Sequence, residues 1–492
     1  MLAPYAIALS LAVLALFTAR ALAPSLGSLR FGRRALAAVL VWGCAAAWIH
    51  ARFPRQHRLY YDEDAYANLS LNLIRGHGAG VTLLATRQAH HVERYKWPYA
   101  FPTAAAPLVA WLGPETGPEV FNELCGAAAI AVAMAWAAAL AESFWAAILV
   151  APLMLLQPAA IEWFRSGSAE PLSALLAALA LWAAAKAGAA SAPGISNGRW
   201  VGVSALAAAI AIHVRLENLV LAIPLVLIPG ARKRLWSLDR VSAIPLLFAA
   251  MLAIAYVAHL GGLRQYYLAG RGESSFGAAW VGGNLAANLK YLGATAASTS
   301  VVLAAGVLAW AAVRRRRIEA GAILCWPAAI FALLLFYSVG QFGYPGGGRF
   351  LLPFALAGSA LAASGCLAAP RRMVLLAVPL AVALLAAQAA GAWPHGTVYG
   401  TDVPRAEHAA IVRWAARLPR DAVVISRVPY LWENLGVYTA QPEFAGGILE
   451  QTRNLYLHIG LFSTPAERAS VENWPKQCVS TAAGEIWLVS HP

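Results

Sequence analysis

Long apolar stretches constrain this chain more than any motif does. Residues 2–19, 35–49, 120–140, 144–160, 172–187 and 374–390 each run apolar far enough to cross, or nearly cross, a hydrocarbon layer about 30 Å thick as a helix. Backbone in lipid must satisfy its own N–H and C=O groups, which leaves helices and closed barrels, and continuous apolar runs select helices. With 60% hydrophobic and 12% charged residues, the pattern predicts a polytopic α-helical membrane protein with about twelve transmembrane helices. The first apolar run starts without a basic residue and is followed by Arg20, so it reads as a retained anchor and not as a cleaved signal.

Lysine and arginine resist translocation and collect in short cytoplasmic loops. The clusters Arg30/Arg33/Arg34, Arg232/Lys233/Arg234, Arg314 to Arg317 and Arg371/Arg372 all fall on one side if the expected spans alternate. That assignment places the loop at residues 51–118, the loop 261–290 and the segment after Trp393 outside. The net charge of +14 is then largely topological, with anionic lipid or phosphate as further partners, and it calls for no nucleic acid. Of the five cysteines, Cys44, Cys125, Cys325 and Cys366 lie in or beside apolar spans, and Cys478 stands alone in the exported segment, so no internal disulfide is expected there.

The division expected from composition is a transmembrane module over 1–393, containing the external loop 51–118, and a small external α/β domain over 394–492. The loop is too long for a connector. A helix is predicted from Asp62, because Tyr66, Leu69 and Leu73 recur at helical spacing and Gly76 and Gly78 provide a stop. A second apolar piece, 101–112, is bracketed by prolines and too short to span, so it is expected to lie along the membrane, giving the loop interfacial helices. In the C-terminal part, a helix is predicted over 407–417 and strands over 422–426 and 486–490.

Three consecutive acids, Asp62, Glu63 and Asp64, open the predicted loop helix in a chain that otherwise avoids charge. Acids there favour the positive end of a helix and can serve as nothing more than caps. The full string Tyr61-Asp62-Glu63-Asp64-Ala65-Tyr66, closed by Gly76, resembles the first external loop of the GT-C glycosyltransferases. The branch resembled holds the protein O-mannosyltransferases, the lipid A aminoarabinose transferase and the rhizobial lipopolysaccharide sugar transferases. Further matches are Lys96-Trp97-Pro98 with Phe101 and Pro102, the stretch Arg165 to Glu170, the pair Arg215 and Glu217, and Arg349 with Leu351, Leu352 and Pro353. Asp64 departs from the family's acid pair and leaves open which acid works.

The resemblance implies an inverting transferase that moves a monosaccharide from a polyprenyl-phosphate donor to an extracytoplasmic acceptor (glycolipid, polysaccharide or protein) at a bacterial inner membrane. Such chemistry needs an acceptor hydroxyl deprotonated and a leaving phosphate stabilised. A carboxylate does the first, and cations do the second. Asp62 is assigned as base and Glu63 as its partner, since a neighbouring acid raises the base's pKa by like-charge repulsion. Lys96 and Arg349 are the candidates for the phosphate, against the alternative that each snorkels to lipid headgroups. Asp64, Tyr66, Arg165, Glu170, Arg215 and Glu217 are possible site-lining residues, the charged ones doubling as structural ion pairs.

No cofactor is required by this reading. His90, His91 and Glu93 offer a donor set that suits a divalent metal, although adjacent histidines rarely point the same way on regular structure. Two other classes compete: a transporter or lipid flippase, which would show repeated halves and broken helices, and an O-antigen polymerase or ligase. Neither repeats nor broken helices are evident in the sequence.

Overall fold

The computed structural model describes residues 2–27, 33–53, 61–93, 98–189, 195–228, 243–255, 276–312, 317–343, 347–368, 402–447, 454–481 and 484–490. Lys96, the basic clusters at 232–234 and 371–372, and the apolar run 374–390 lie outside these residues. Among them, six helices are long and apolar enough to cross a membrane, or eight if each of two bent pairs counts as one span. Four further apolar helices, including Ala100–Leu112, are too short.

The helices Gly117–Ala141, Glu170–Ala189, Ile195–Val214 and Leu352–Ala368 form the centre. Their contact faces are alanine-rich, so backbones approach closely and packing replaces the hydrophobic drive that lipid does not supply. Ala177, Ala180, Ala207 and Ala211 are buried, and Ser204 Oγ donates to the Ala180 carbonyl at 2.8 Å. Trp182 and Trp200 close the same seam edge to face, with centroids 4.9 Å apart. The helix Arg33–Arg52 instead turns Leu36, Val39 and Leu40 outward, as a lipid-facing helix does.

The run expected as one span over 144–160 is broken. Phe144–Leu155 and Pro158–Arg165 meet at 85°, because Pro158 has no N–H to continue the ladder and Gln157 leaves helical geometry at φ −117°, ψ 63°. The Gln157 side chain satisfies the break by donating to the Leu153 carbonyl and to Ser359 Oγ, at 2.9 and 2.7 Å. A second pair, Ala278–Ala294 and Ala297–Leu308, meets at 95°. The expectation of unbroken helices is therefore corrected: two of them fold back at polar breaks that apolar periodicity does not register.

The loop helix forms over Tyr61–Arg75 and stops at Gly76, whose φ of +76° is a conformation that favours glycine. Beyond it, β1 (Val81–Ala85) and β2 (His90–Glu93) make a hairpin, followed by the helix Ala100–Leu112. The C-terminal residues supply β3 (Val423–Ser426), β4 (Tyr438–Ala440), β5 (Leu455–Ile459), β6 (Lys476–Thr481) and β7 (Gly484–Ser490). All seven strands join one mixed sheet in the order β2-β1-β4-β3-β5-β7-β6. Central β3 is buried on both faces, with Val424 facing a cluster around Trp414 and Trp432 and with Val423 and Ile425 facing Leu84 and Leu455. The sheet thus couples the hairpin of the loop at 51–118 to the C-terminal segment.

Gly117 begins its helix against the backbone of Val109, where an added Cβ would come within 2.6 Å of Val109 atoms. Gly117→Ala is expected to destabilise the protein by about 1–3 kcal/mol, seen as a lowered melting temperature in detergent. Gly43→Ala, where a Cβ meets nothing within 4 Å, leaves melting unchanged or slightly raised.

Candidate active site at the start of the loop helix

The loop helix has two working faces because its polar and apolar residues alternate at three- and four-residue spacing. Tyr66 and Leu69 are buried, and the Tyr66 ring meets Phe101 edge to face at 5.4 Å. Burial pushes the Tyr66 phenol above its ordinary pKa, with Arg215, Asp62, Glu170 and Arg349 also within electrostatic reach. The phenol therefore stays protonated.

A chain of charged groups surrounds that phenol. Arg349 Nη1 lies 3.8 Å from Asp62 Oδ2, and its Nε lies 3.0 Å from Glu170 Oε1. The same Glu170 oxygen is 3.4 Å from Arg215 Nη1, while Arg215 Nη2 donates to Glu217 Oε1 at 3.0 Å. Both guanidinium groups sit over the Phe350 ring, 5.3 Å from its centroid for Arg349 and 5.7 Å for Arg215, a cation–π placement that favours planar cations. Asp62, Glu170, Arg215, Glu217 and Arg349 thus come together from four separate parts of the chain.

The three acids are not equivalent. The Asp62 side chain is 16% exposed, whereas Glu63 and Asp64 are buried. Glu63 lies against Gly167, with its Cβ 3.5 Å from where a Gly167 side chain would begin. The 166–168 turn is itself pinned by Asn122 Nδ2, which donates to the Ser166 and Ser168 carbonyls, each at 2.6 Å. Asp64 belongs to the other face of the helix, and its carbonyl accepts from Asn434 Nδ2 at 3.1 Å.

Arg165 is placed apart from Glu170. It ion-pairs with Glu123, donates from Nε to the Phe53 carbonyl at 3.0 Å, and meets His50 Nδ1 at 2.9 Å. The expected histidine group is also separated, because β2 turns neighbouring side chains to opposite faces. His91 stacks on Phe444 at 5.9 Å, while His90 Nε2 lies 3.0 Å from Glu433 Oε1. No ion pair or hydrogen bond links Glu93 to either histidine among the described residues.

Sequence reasoning missed Glu433, Asn68, Asn72 and Thr82. Asn68 Nδ2 donates to Glu433 Oε2 at 2.8 Å and to Asn434 Oδ1 at 3.1 Å, and its Oδ1 accepts from the Thr82 N–H at 2.8 Å. Asn72 Nδ2 reaches the Gly80 carbonyl and Thr82 Oγ1. Burial would raise the Glu433 carboxyl, but hydrogen bonds from Thr82, Asn68 and His90 outweigh it and hold the group below the ordinary range. The signal was present in the spacing of Asp64, Asn68 and Asn72, a polar stripe opposite Tyr66, Leu69 and Leu73; its partner, more than 350 residues away, was not.

A bundle of apolar helices whose acid-bearing loop helix packs beside a mixed sheet of loop and C-terminal strands is a fold shared with solved structures. The chain superposes on ArnT from Cupriavidus metallidurans bound to undecaprenyl phosphate with a TM-score of 0.58 at 13% identity, covering 92% of this chain and 97% of that one. The archaeal oligosaccharyltransferase AglB from Archaeoglobus fulgidus, in complex with an inhibitory peptide and a dolichol-phosphate, gives 0.50 at 11% identity, with 92% and 74% covered. At these identities the likeness is one of fold. No protein-family model matches the sequence, and no curated protein does.

Buried Glu170 shares one carboxylate between two guanidinium groups whose side chains are each 13% exposed. Glu170→Gln is expected to cost about 3–5 kcal/mol, as breaking a buried pair leaves cations uncompensated. Thermal unfolding in detergent would measure this. Glu443→Gln, which removes one partner from the more exposed Arg427 pair, should stay within about 1 kcal/mol.

Proposed function

We propose that the protein is a membrane glycosyltransferase that moves a monosaccharide from a polyprenyl-phosphate carrier to an acceptor hydroxyl on the extracytoplasmic side. The observation that carries this reading is the Asp62–Arg349 pair, 3.8 Å apart, which sets a carboxylate beside a guanidinium at the mouth of the loop helix. Support for a lipid-linked donor comes from the fold neighbours, one solved with undecaprenyl phosphate and another with dolichol-phosphate and a peptide.

In the proposed reaction the acceptor oxygen attacks the anomeric carbon and its proton passes to Asp62. The bond from that carbon to the phosphate oxygen breaks, and polyprenyl phosphate departs with the electron pair. Direct displacement inverts the anomeric configuration. Arg349 meets the leaving phosphate, where a planar guanidinium can make two parallel hydrogen bonds, and Lys96 is assigned to the same phosphate from sequence. Asp62 is favoured over Glu63 and Asp64 as the base because it is the most exposed of the three. Glu63 is its neighbouring acid, and the Tyr66 phenol is a donor toward the sugar or phosphate. The acceptor classes open to this chemistry are a glycolipid, a polysaccharide and a protein. A bacterial inner membrane with the site facing the periplasm is the matching location.

The two bent helix pairs are the one feature that favours a transporter, since transporters place substrate at broken helices. An acid-bearing loop helix packed under a C-terminal sheet has no evident part in such a carrier.

Asp62→Asn is expected to lower sugar transfer by about 10²- to 10⁴-fold, the usual worth of a general base, while expression and melting stay as in the parent. Mass spectrometry of cell-envelope glycans and exported proteins, with parent and variant, reads the loss and names the sugar. Full transfer by a well-expressed Asp62→Asn protein would exclude the assignment, and a missing solute flux with every glycan intact would favour the transporter.

A further inference from the structure

On the face of the loop helix turned away from Asp62, three side chains from distant parts of the chain converge. His77 follows the helix, His90 opens β2, and Glu433 lies in the short helix Pro429–Asn434. One ligand atom from each falls within 4.8 Å of the other two. His90 Nε2 is already 3.0 Å from Glu433 Oε1, and the two imidazole rings lie 3.8 Å apart at 36°. In a tetrahedral zinc site, ligand atoms about 2.0–2.2 Å from the metal are roughly 3.3 Å from each other.

We propose that His77, His90 and Glu433 form a divalent metal site of the zinc type, with two imidazoles and one carboxylate as protein ligands and a fourth position open to water. The donor set is the one zinc takes when three protein groups bind it. Glu433 is oriented in advance: Asn68 and Thr82 hydrogen-bond Oε2, leaving Oε1 directed at His90. Supporting hydrogen bonds of this kind fix a ligand's geometry in metal sites. The other cation facing Oε1 is Arg75, 3.3 Å away. Its side chain is 44% exposed, so it can swing into solvent when a metal arrives. His77 is at the surface and gives the ion its way in.

The consequence is mechanical. Glu433 also holds Asn68, and the adjacent Asn434 holds both Asn68 and the Asp64 carbonyl. A metal gripping Glu433 from the hairpin side therefore clamps the C-terminal segment onto the helix that carries the acids. The site stands whether or not Asp62 performs sugar transfer, because its residues and its readout are separate from that chemistry.

The test uses full-length, tag-free protein in detergent, stripped by chelation and titrated with zinc chloride alone, with calorimetry and melting as readouts. One saturable equivalent and a melting temperature raised by several degrees are expected. His77→Ala and His90→Ala should each weaken binding at least tenfold and erase the metal-dependent rise, and His77→Ala should leave metal-free melting unchanged. His91→Ala, on the opposite face of β2, should bind as the parent does. Absence of saturable binding, binding that survives both His77→Ala and His90→Ala, or binding lost in His91→Ala would overturn the assignment and leave the cluster as a His90–Glu433–Arg75 ion-pair clamp.

Discussion

Glu170 is the interaction on which the candidate site depends. Two arginines withdrawn from water would each carry a desolvation cost of several kcal/mol, and the single Glu170 carboxylate compensates both at 3.0 and 3.4 Å. Because Glu170 begins a long buried helix and is followed by alanines packed against its neighbours, its position is set by the bundle and not by the loop. Arg349 is held in turn, and Asp62 meets a cation whose place is already fixed. Catalytic groups on rigid elements, oriented by groups behind them, are what precise positioning of reactants requires.

The loop helix transmits that order in the other direction. Its Tyr66 face reads the ion pairs of the bundle, and its Asn68 and Asn72 face reads the hairpin and the C-terminal segment through Glu433 and Thr82. A strand register that joins β1 to β4, and β4 in turn to β3, therefore bears on the placement of three acids at the helix start. The C-terminal strands need hold no reacting group themselves to matter for the proposed transfer.

Much of this was legible from the sequence because periodicity is local. The loop helix, its glycine stop, the apolar helix over Ala100–Leu112, β3, β7 and most of the long spans follow from spacing and composition. The break at Gln157 was invisible, since Pro158 in an apolar run reads equally as a kink or as a first helical residue, and the hydrogen bond of Gln157 to Ser359 joins positions far apart. The grouping of Arg349 with Glu170 and Arg215 needed the tertiary fold, and so did the separation of Arg165, which turns to Glu123. His90 and His91 show the limit most directly: adjacency in sequence put them together, and the pleat of β2 sends one to Glu433 and the other to Phe444.

In the proposed reaction a donor phosphate settles on Arg349 with its sugar turned toward Asp62. The direct measurement is a cryo-EM structure with a phosphonate analogue of a polyprenyl-phosphate sugar that cannot be transferred. The expected result is phosphonate oxygens about 3 Å from the Arg349 guanidinium and the anomeric carbon facing the Asp62 carboxylate. A headgroup bound elsewhere, out of reach of both side chains, would contradict it.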